Sequence, residues 1–143
     1  MALAMIPLSF PASSLLVAIG GGFGAWLRFL VGRASVSLLG PVAASAFPWG
    51  TLFANVSGSL AMGLLVGWLA RHGGFATLGG EGTRLLLGVG VLGGFTTFSA
   101  FSLEFALFVE RGALGMAAFY VAVSLLAGFA GLFAGLFIMR GLA

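Results

Sequence analysis

The stretch GGFTTFSAFS, residues Gly93 to Ser102, lies near the middle of an apolar run that is long enough to cross a bilayer. Glycine costs about 1 kcal/mol in a helix interior, and β-branched threonine is also a poor helix former. Non-helical backbone at membrane depth is tolerated only where protein or a water-filled cavity surrounds it. The stretch therefore predicts a break in a membrane-spanning helix, although a simple kink or a glycine contact face is the alternative interpretation.

The composition is that of an integral membrane protein. Of the 143 residues, 61% are hydrophobic and only 6% are charged, whereas soluble domains carry about 25% charged residues. Cysteine is absent, and one histidine with three glutamates is too little for an enzyme's metal cluster or nucleophile–base pair. The arginines are scattered rather than clustered, so nucleic acid is not an expected partner.

Four apolar segments have the length that a hydrocarbon layer of about 30 Å requires. We predict all-α spans at about residues 15–36, 49–70, 84–109 and 114–139. They form one membrane domain, residues 15–143, after an N-terminal lead of residues 1–14 that lacks the basic region of a signal peptide. The glycine-rich stretch Arg71–Arg84 is predicted to be a flexible surface loop.

The arginines give no preferred orientation in the membrane. With four spans, three fall on each side, namely Arg71, Arg84 and Arg140 on one and Arg28, Arg33 and Arg111 on the other. Orientation is set by the Lys/Arg asymmetry of short loops, and this chain has none. Two oppositely oriented copies could pair about an axis in the membrane plane; alternatively, the insertion machinery or the first helix fixes one orientation.

The second span carries a row of small and polar residues. Asn55, Ser59, Gly63 and Gly67 follow one another at four-residue spacing. Gly63 and Gly67 form a GxxxG pair, which predicts a contact with another helix. An unpaired amide is costly in hydrocarbon, so Asn55 either bonds a neighbouring helix or lines an ion pathway.

Further polar groups lie in the third and fourth spans. Tyr120 and Ser124 share one helix face, and with Asn55, Thr97 and Ser102 they could form a ladder of hydroxyl and amide groups. Such groups can replace water around an ion and still release it.

Aromatic and charged side chains extend the set of candidates. Phe98 and Phe101 begin a phenylalanine stripe on one helix face, which either packs or presents the positive ring edges to an anion. Glu104 and Arg28 are ionisable residues inside spans, and such residues are functional candidates. The alternatives are a structural pairing for both and snorkelling for Arg28.

Three motifs occur in order along the chain: GGFGAWLR at Gly21–Arg28, GTLFANVSGS at Gly50–Ser59 and GGFTTFSAFSLE at Gly93–Glu104. Together they resemble the signatures of the Fluc fluoride channels, also called CrcB proteins. The resemblance extends from Gly20 to the C-terminus and includes the four spans. It implies an antiparallel, dual-topology homodimer in the cell (inner) membrane, with two narrow pores along the subunit interface, that exports cytoplasmic fluoride passively.

The resemblance also implies where ions bind. A structural sodium ion would lie on the dimer axis, held by backbone carbonyls of Gly93 and Thr96 from both copies. With Ser102 from the polar ladder, the expected fluoride pathway comprises Asn55, Thr97, Phe98, Phe101, Ser102, Tyr120, Ser124, Glu104 and Arg28. The expected partners are fluoride, sodium, a second copy of the chain and the lipid bilayer.

Two other functions fit a small four-span protein. A proton-coupled multidrug exporter of similar size carries a glutamate in its first span, and the first span here has no acidic residue. A non-conducting membrane assembly protein needs only the glycine contact faces, but it leaves Asn55 and Thr97 unexplained.

Overall fold

Four long apolar helical segments of membrane-spanning length make up the computed structural model, which describes residues 8–72 and 78–141. The elements, in chain order, are α1 (Phe10–Ala46), α2 (Trp49–Arg71), α3 (Leu78–Thr83), a π-helical segment (Arg84–Leu92), α4 (Gly93–Phe95), α5 (Phe98–Glu110) and α6 (Leu114–Gly141). Those residue ranges contain no strand. The prediction of an all-α protein with four spans is confirmed, and the chain is a multi-pass membrane protein.

Helix α1 is longer than the predicted first span and is sharply bent near its end. Gly40 adopts φ +78° and ψ +160°, a conformation that glycine tolerates because it has no Cβ. Pro41 follows, and its ring cannot continue a regular helix. Ser35 interrupts the apolar run in the sequence, but its hydroxyl donates to Gly32 O at 2.8 Å and so remains within the helix. The short segment after the bend leads into α2, and its Ala44 and Ser45 line a cavity together with the end of α5.

Helices α2 and α6 pack closely through their glycines. A Cβ on Gly63 would collide with the Leu132 carbonyl, and one on Gly67 would lie 2.6 Å from the Met139 Cβ. The predicted helix contact of the GxxxG pair is therefore confirmed. Arg71 closes the end of this pair, since its Nη1 donates to Met139 O at 2.9 Å.

The third span is broken, as predicted, but the threonines rather than the glycines leave the helix. Gly93 and Gly94 remain helical within α4. Thr96, with φ −82° and ψ 157°, and Thr97, with φ −150° and ψ 123°, are extended. Helix α5 then restarts at Phe98, so the span consists of two helical halves joined by two extended residues.

The predicted loop Arg71–Arg84 is partly wrong, because Leu78–Thr83 is helical. Residues 73–77 lie outside the described residues. Glu81 accepts a hydrogen bond from the Leu8 backbone N–H at 3.2 Å, and Gly82 packs on Leu16. These contacts with the start of α1 stabilise helix in a stretch whose glycine content alone favours a loop.

Helix α1 crosses the third span at backbone contact distance. A Cβ on Gly20 would lie 3.0 Å from the Gly90 Cα, and one on Gly24 would lie 2.8 Å from the Phe95 N. Gly24 of the first motif and Gly20 just before it therefore bring α1 against the π-helical segment and α4. This contact places Arg28, one turn further along α1, beside the break.

We expect Gly63→Ala to destabilise the fold by about 1–3 kcal/mol, because the added methyl group meets α6 backbone that cannot move aside cheaply. Gly115→Ala is the matched control, since no atom lies within 4 Å of its added Cβ. The control should leave stability nearly unchanged, since Gly115 lies in the first turn of α6 and its added methyl group meets nothing. Thermal unfolding in detergent, followed by circular dichroism, measures both. Equal effects of the two substitutions would contradict the close α2–α6 contact.

Candidate functional site

The side chain of Asn55 holds the broken span in place. Its Nδ2 donates to Thr97 O at 3.0 Å, and its Oδ1 accepts from the Thr97 N–H at 2.8 Å. One amide therefore pairs with both backbone groups of a residue that has left the helix. Of the two roles that the sequence left open for Asn55, bonding to a neighbouring helix is observed directly.

Thr97 also begins the second half of the span. Its Oγ1 accepts a hydrogen bond from the Ala100 N–H at 3.2 Å, as an N-cap residue does. In a continuous helix, the Thr97 N–H would donate to Gly93 O and the Ala100 N–H would donate to Thr96 O. Because both donors are bonded to side-chain oxygens instead, Gly93 O and Thr96 O lose their helical partners.

A groove of about 430 Å³ opens beside the break, between α2, α5 and α6. It brings together five of the predicted pathway residues: Asn55, Thr97, Phe98, Phe101 and Ser124. Thr96 lines the same groove. The hydroxyl of Ser124 is enclosed and has no hydrogen-bond partner among the described residues. The groove therefore combines an apolar wall with a few amide and hydroxyl groups.

The two phenylalanines lie at different depths in the groove. Phe98 is 79% exposed on the surface of the chain, whereas Phe101 is partly buried. Their ring centroids are 5.7 Å apart and their planes are inclined by 39°. Phe101 in turn lies 5.1 Å from the ring of Tyr120, so the aromatic contact continues from the surface into the core.

A second polar cluster surrounds Glu104, which lies one helical turn after Phe101 on α5. Its Oε1 accepts from the Thr51 hydroxyl and its Oε2 accepts from the Tyr120 hydroxyl, each at 2.6 Å. Tyr120 is fully buried. The sequence analysis missed Thr51, although it extends the four-residue row of Asn55 and Ser59 by one turn toward the start of α2.

Arg28 and Ser102 lie outside the groove. The Arg28 Nε donates to Gly94 O at 3.2 Å. One of the carbonyl groups at the end of α4 therefore has a side-chain hydrogen-bond partner. A cation is favourable at the C-terminal end of a helix, which is where this guanidinium lies. Ser102 is exposed, and its hydroxyl donates to Phe98 O at 2.9 Å within its own helix.

Comparison with known proteins identifies the family. Residues 15–136 match the family model described as CrcB-like protein, Camphor Resistance (CrcB). The chain belongs to the CrcB family. A relative from Novosphingobium aromaticivorans, named fluoride-specific ion channel FluC, is 64% identical over 89% of this chain and 95% of its own length. Relatives of the same name from Rhodopseudomonas palustris and Beijerinckia indica are 51% and 52% identical over 90% and 91% of this chain, and 97% and 98% of their own lengths.

The matched region contains every element of the site. It includes α2 with Asn55, the break at Thr96 and Thr97, and α6 through the level of Ser124. The resemblance inferred from the three motifs is thus confirmed at the level of the family. The groove and the Glu104 cluster are what this CrcB chain adds in atomic detail.

We expect Asn55→Leu to destabilise the protein, because it leaves the Thr97 N–H and C=O unpaired away from water. Each unpaired group costs about 1–3 kcal/mol. Asn55→Asp keeps the acceptor for the Thr97 N–H and should lose less. Thermal unfolding, together with hydrogen exchange at the Thr97 amide, measures the effect.

Ser57→Ala is the control for Asn55, since the Ser57 hydroxyl donates only within its own helix, to Phe53 O at 2.6 Å and Ala54 O at 3.5 Å. It should leave both stability and exchange at Thr97 nearly unchanged. An Asn55→Leu protein with wild-type stability and a still-protected Thr97 amide would refute the bridging role.

Proposed function

We propose that the protein is a fluoride-selective ion channel that exports cytoplasmic fluoride down its electrochemical gradient. The observation that carries this proposal is the groove at the broken span, where Asn55, Thr97, Phe98, Phe101 and Ser124 meet. Membership of a family whose relatives are named fluoride-specific ion channels supports it. The function is conduction rather than catalysis.

The proposed pathway answers the problem that fluoride poses. Fluoride is small and strongly hydrated, so a pore must replace its water while it rejects chloride, which dehydrates more easily. Hydroxyl and amide donors can substitute for water without holding the ion tightly. The positive edges of the Phe98 and Phe101 rings favour an anion without supplying a full charge. We assign Tyr120 and Ser124 to the same track, with Ser102 near its surface and Glu104 and Arg28 near its ends.

A second copy would complete the pathway. Phe98 is largely exposed in a single chain, so the groove has an open side that a partner can close. The balanced arginines permit an antiparallel partner, and two related grooves would then give two pores per dimer. The proposed location is the inner membrane, where a negative interior drives anions outward with about 2.3 kcal/mol per charge per 100 mV.

The backbone at the break fits a structural sodium ion. Gly93 O and Thr96 O lose their helical donors because Asn55 and the Thr97 hydroxyl take them. Gly93 is exposed on the surface of the chain, which allows the same carbonyls of a second copy to approach. Unwound backbone carbonyls are the usual ligands of sodium in broken membrane helices. We assign Gly93 and Thr96 as the residues that would hold it, to fix the break rather than to be transported.

Ion efflux from liposomes tests the channel. We expect vesicles that contain the purified protein to release fluoride rapidly and to retain chloride, as read with ion-selective electrodes. Phe98→Ala should slow fluoride release by about tenfold, which corresponds to ~1.4 kcal/mol of barrier. Phe133→Ala is the matched control, since Phe133 is an exposed phenylalanine of α6 that does not line the groove.

Three outcomes would overturn the proposal. Equal release of both halides would remove the selectivity, and no release from folded protein would favour the assembly protein considered above. Transport that depends on a proton gradient would indicate an exporter instead.

Sodium binding is tested without flux. We expect the melting temperature of the purified protein to fall when sodium is replaced by N-methylglucamine, because a bound ligand stabilises only the folded state. Asn55→Leu should weaken this dependence, since it removes the acceptor that diverts the Thr97 N–H away from Gly93 O. If the melting temperature is the same in sodium and in N-methylglucamine, the assignment of Gly93 and Thr96 is refuted. The proposed fluoride pathway is not affected by that result.

A further inference from the structure

A small polar cavity of about 150 Å³ lies at the membrane-surface end of α5. Glu104 lines its inner part and Arg111 lines it at the end of the helix. Ser45 and Pro48, from the segment beyond the Gly40 bend and the start of α2, form the opposite wall. The bend in α1 brings this segment against the end of α5, and the cavity lies between the two.

The cavity is connected to the groove at the break through the side chains of Tyr120 and Phe101. Glu104 bonds the Tyr120 hydroxyl, and the ring of Tyr120 contacts Phe101, which lines the groove at the break. A continuous series of neighbouring side chains therefore leads from the mid-membrane groove to Arg111. No other arginine lines this cavity.

Arg111 is the positive charge at the mouth of this cavity. It is exposed and forms no ion pair within the described ranges, residues 8–72 and 78–141. Glu104 lines the same cavity but forms no ion pair with Arg111 in the described part of the chain, and its carboxylate oxygens accept from the Thr51 and Tyr120 hydroxyls instead. Glu110, the adjacent residue, is also exposed but does not line the cavity. The guanidinium is thus available to attract an anion from solution.

We propose that this cavity is an entrance of the anion pathway and that Arg111 concentrates small monovalent anions there. The inference rests on the proposed channel function and adds a residue that sets the rate of ion capture. A unit charge at about 6 Å in water enriches a monovalent anion about threefold. The effect must fade with salt, because the screening length shrinks from about 30 Å at 0.01 M to about 3 Å at 1 M.

The test is fluoride conductance in planar bilayers at fixed fluoride, with ionic strength raised from about 0.01 M to about 1 M by an impermeant sodium salt. We expect Arg111→Gln to reduce the conductance about threefold at low ionic strength and to match the wild type at high ionic strength. Arg111→Lys should keep the wild-type conductance. Arg140→Gln is the matched control, since Arg140 is an exposed arginine of α6 that lines neither the groove at the break nor this cavity.

The outcomes separate the two proposals. A loss in Arg111→Gln that persists at high ionic strength, no loss at either ionic strength, or an equal loss in Arg140→Gln would overturn the role of Arg111. Wild-type protein that conducts no fluoride would overturn the proposed function itself.

Discussion

The paired hydrogen bonds between Asn55 and Thr97 are the interaction on which the rest of the structure depends. A break in a membrane helix leaves backbone donors and acceptors where no water can reach them. One amide supplies both partners from α2, so the break is fixed in position as well as satisfied. Gly58, one turn further along α2, leaves room for the Thr96 methyl group. Two residues of the second motif, Asn55 and Gly58, thereby determine the backbone conformation of Thr96 and Thr97 in the third motif.

The same interaction determines which backbone groups stay available. Donors that would have continued the helix are diverted to side-chain oxygens, so carbonyls at the end of α4 lose their partners. Arg28 occupies one of them, Gly94 O. The end of α4 carries a partial negative charge and the start of α5 a partial positive one. A single break can therefore favour a cation on one side and an anion on the other.

Sequence patterns predicted those features that depend on local chemistry. Hydropathy gave the four spans, weak helix formers gave the break, and the GxxxG spacing gave the contact of Gly63 with α6. The bend at Gly40 has a local signal in the Gly40–Pro41 pair. The partner of Arg28 and the helix at Leu78–Thr83 depend on which segment lies alongside, and no single-chain pattern contains that information. Thr51 is the exception, because its place in the row of Asn55 was visible. The proposed sodium ligands, Gly93 and Thr96, come from the family resemblance rather than from a local pattern.

Glu104 shows how a charged group can serve a pathway for anions. A carboxylate inside a membrane is stable only when its oxygens are paired, and here Thr51 and Tyr120 donate to both of them. On the proposed function, an anion that arrives past Phe101 must compete with Glu104 for the Tyr120 hydroxyl. That competition keeps the anion weakly bound, and conduction requires weak binding because each ion must leave as readily as it enters. On that proposal, the carboxylate limits how tightly the donors of the track can hold fluoride.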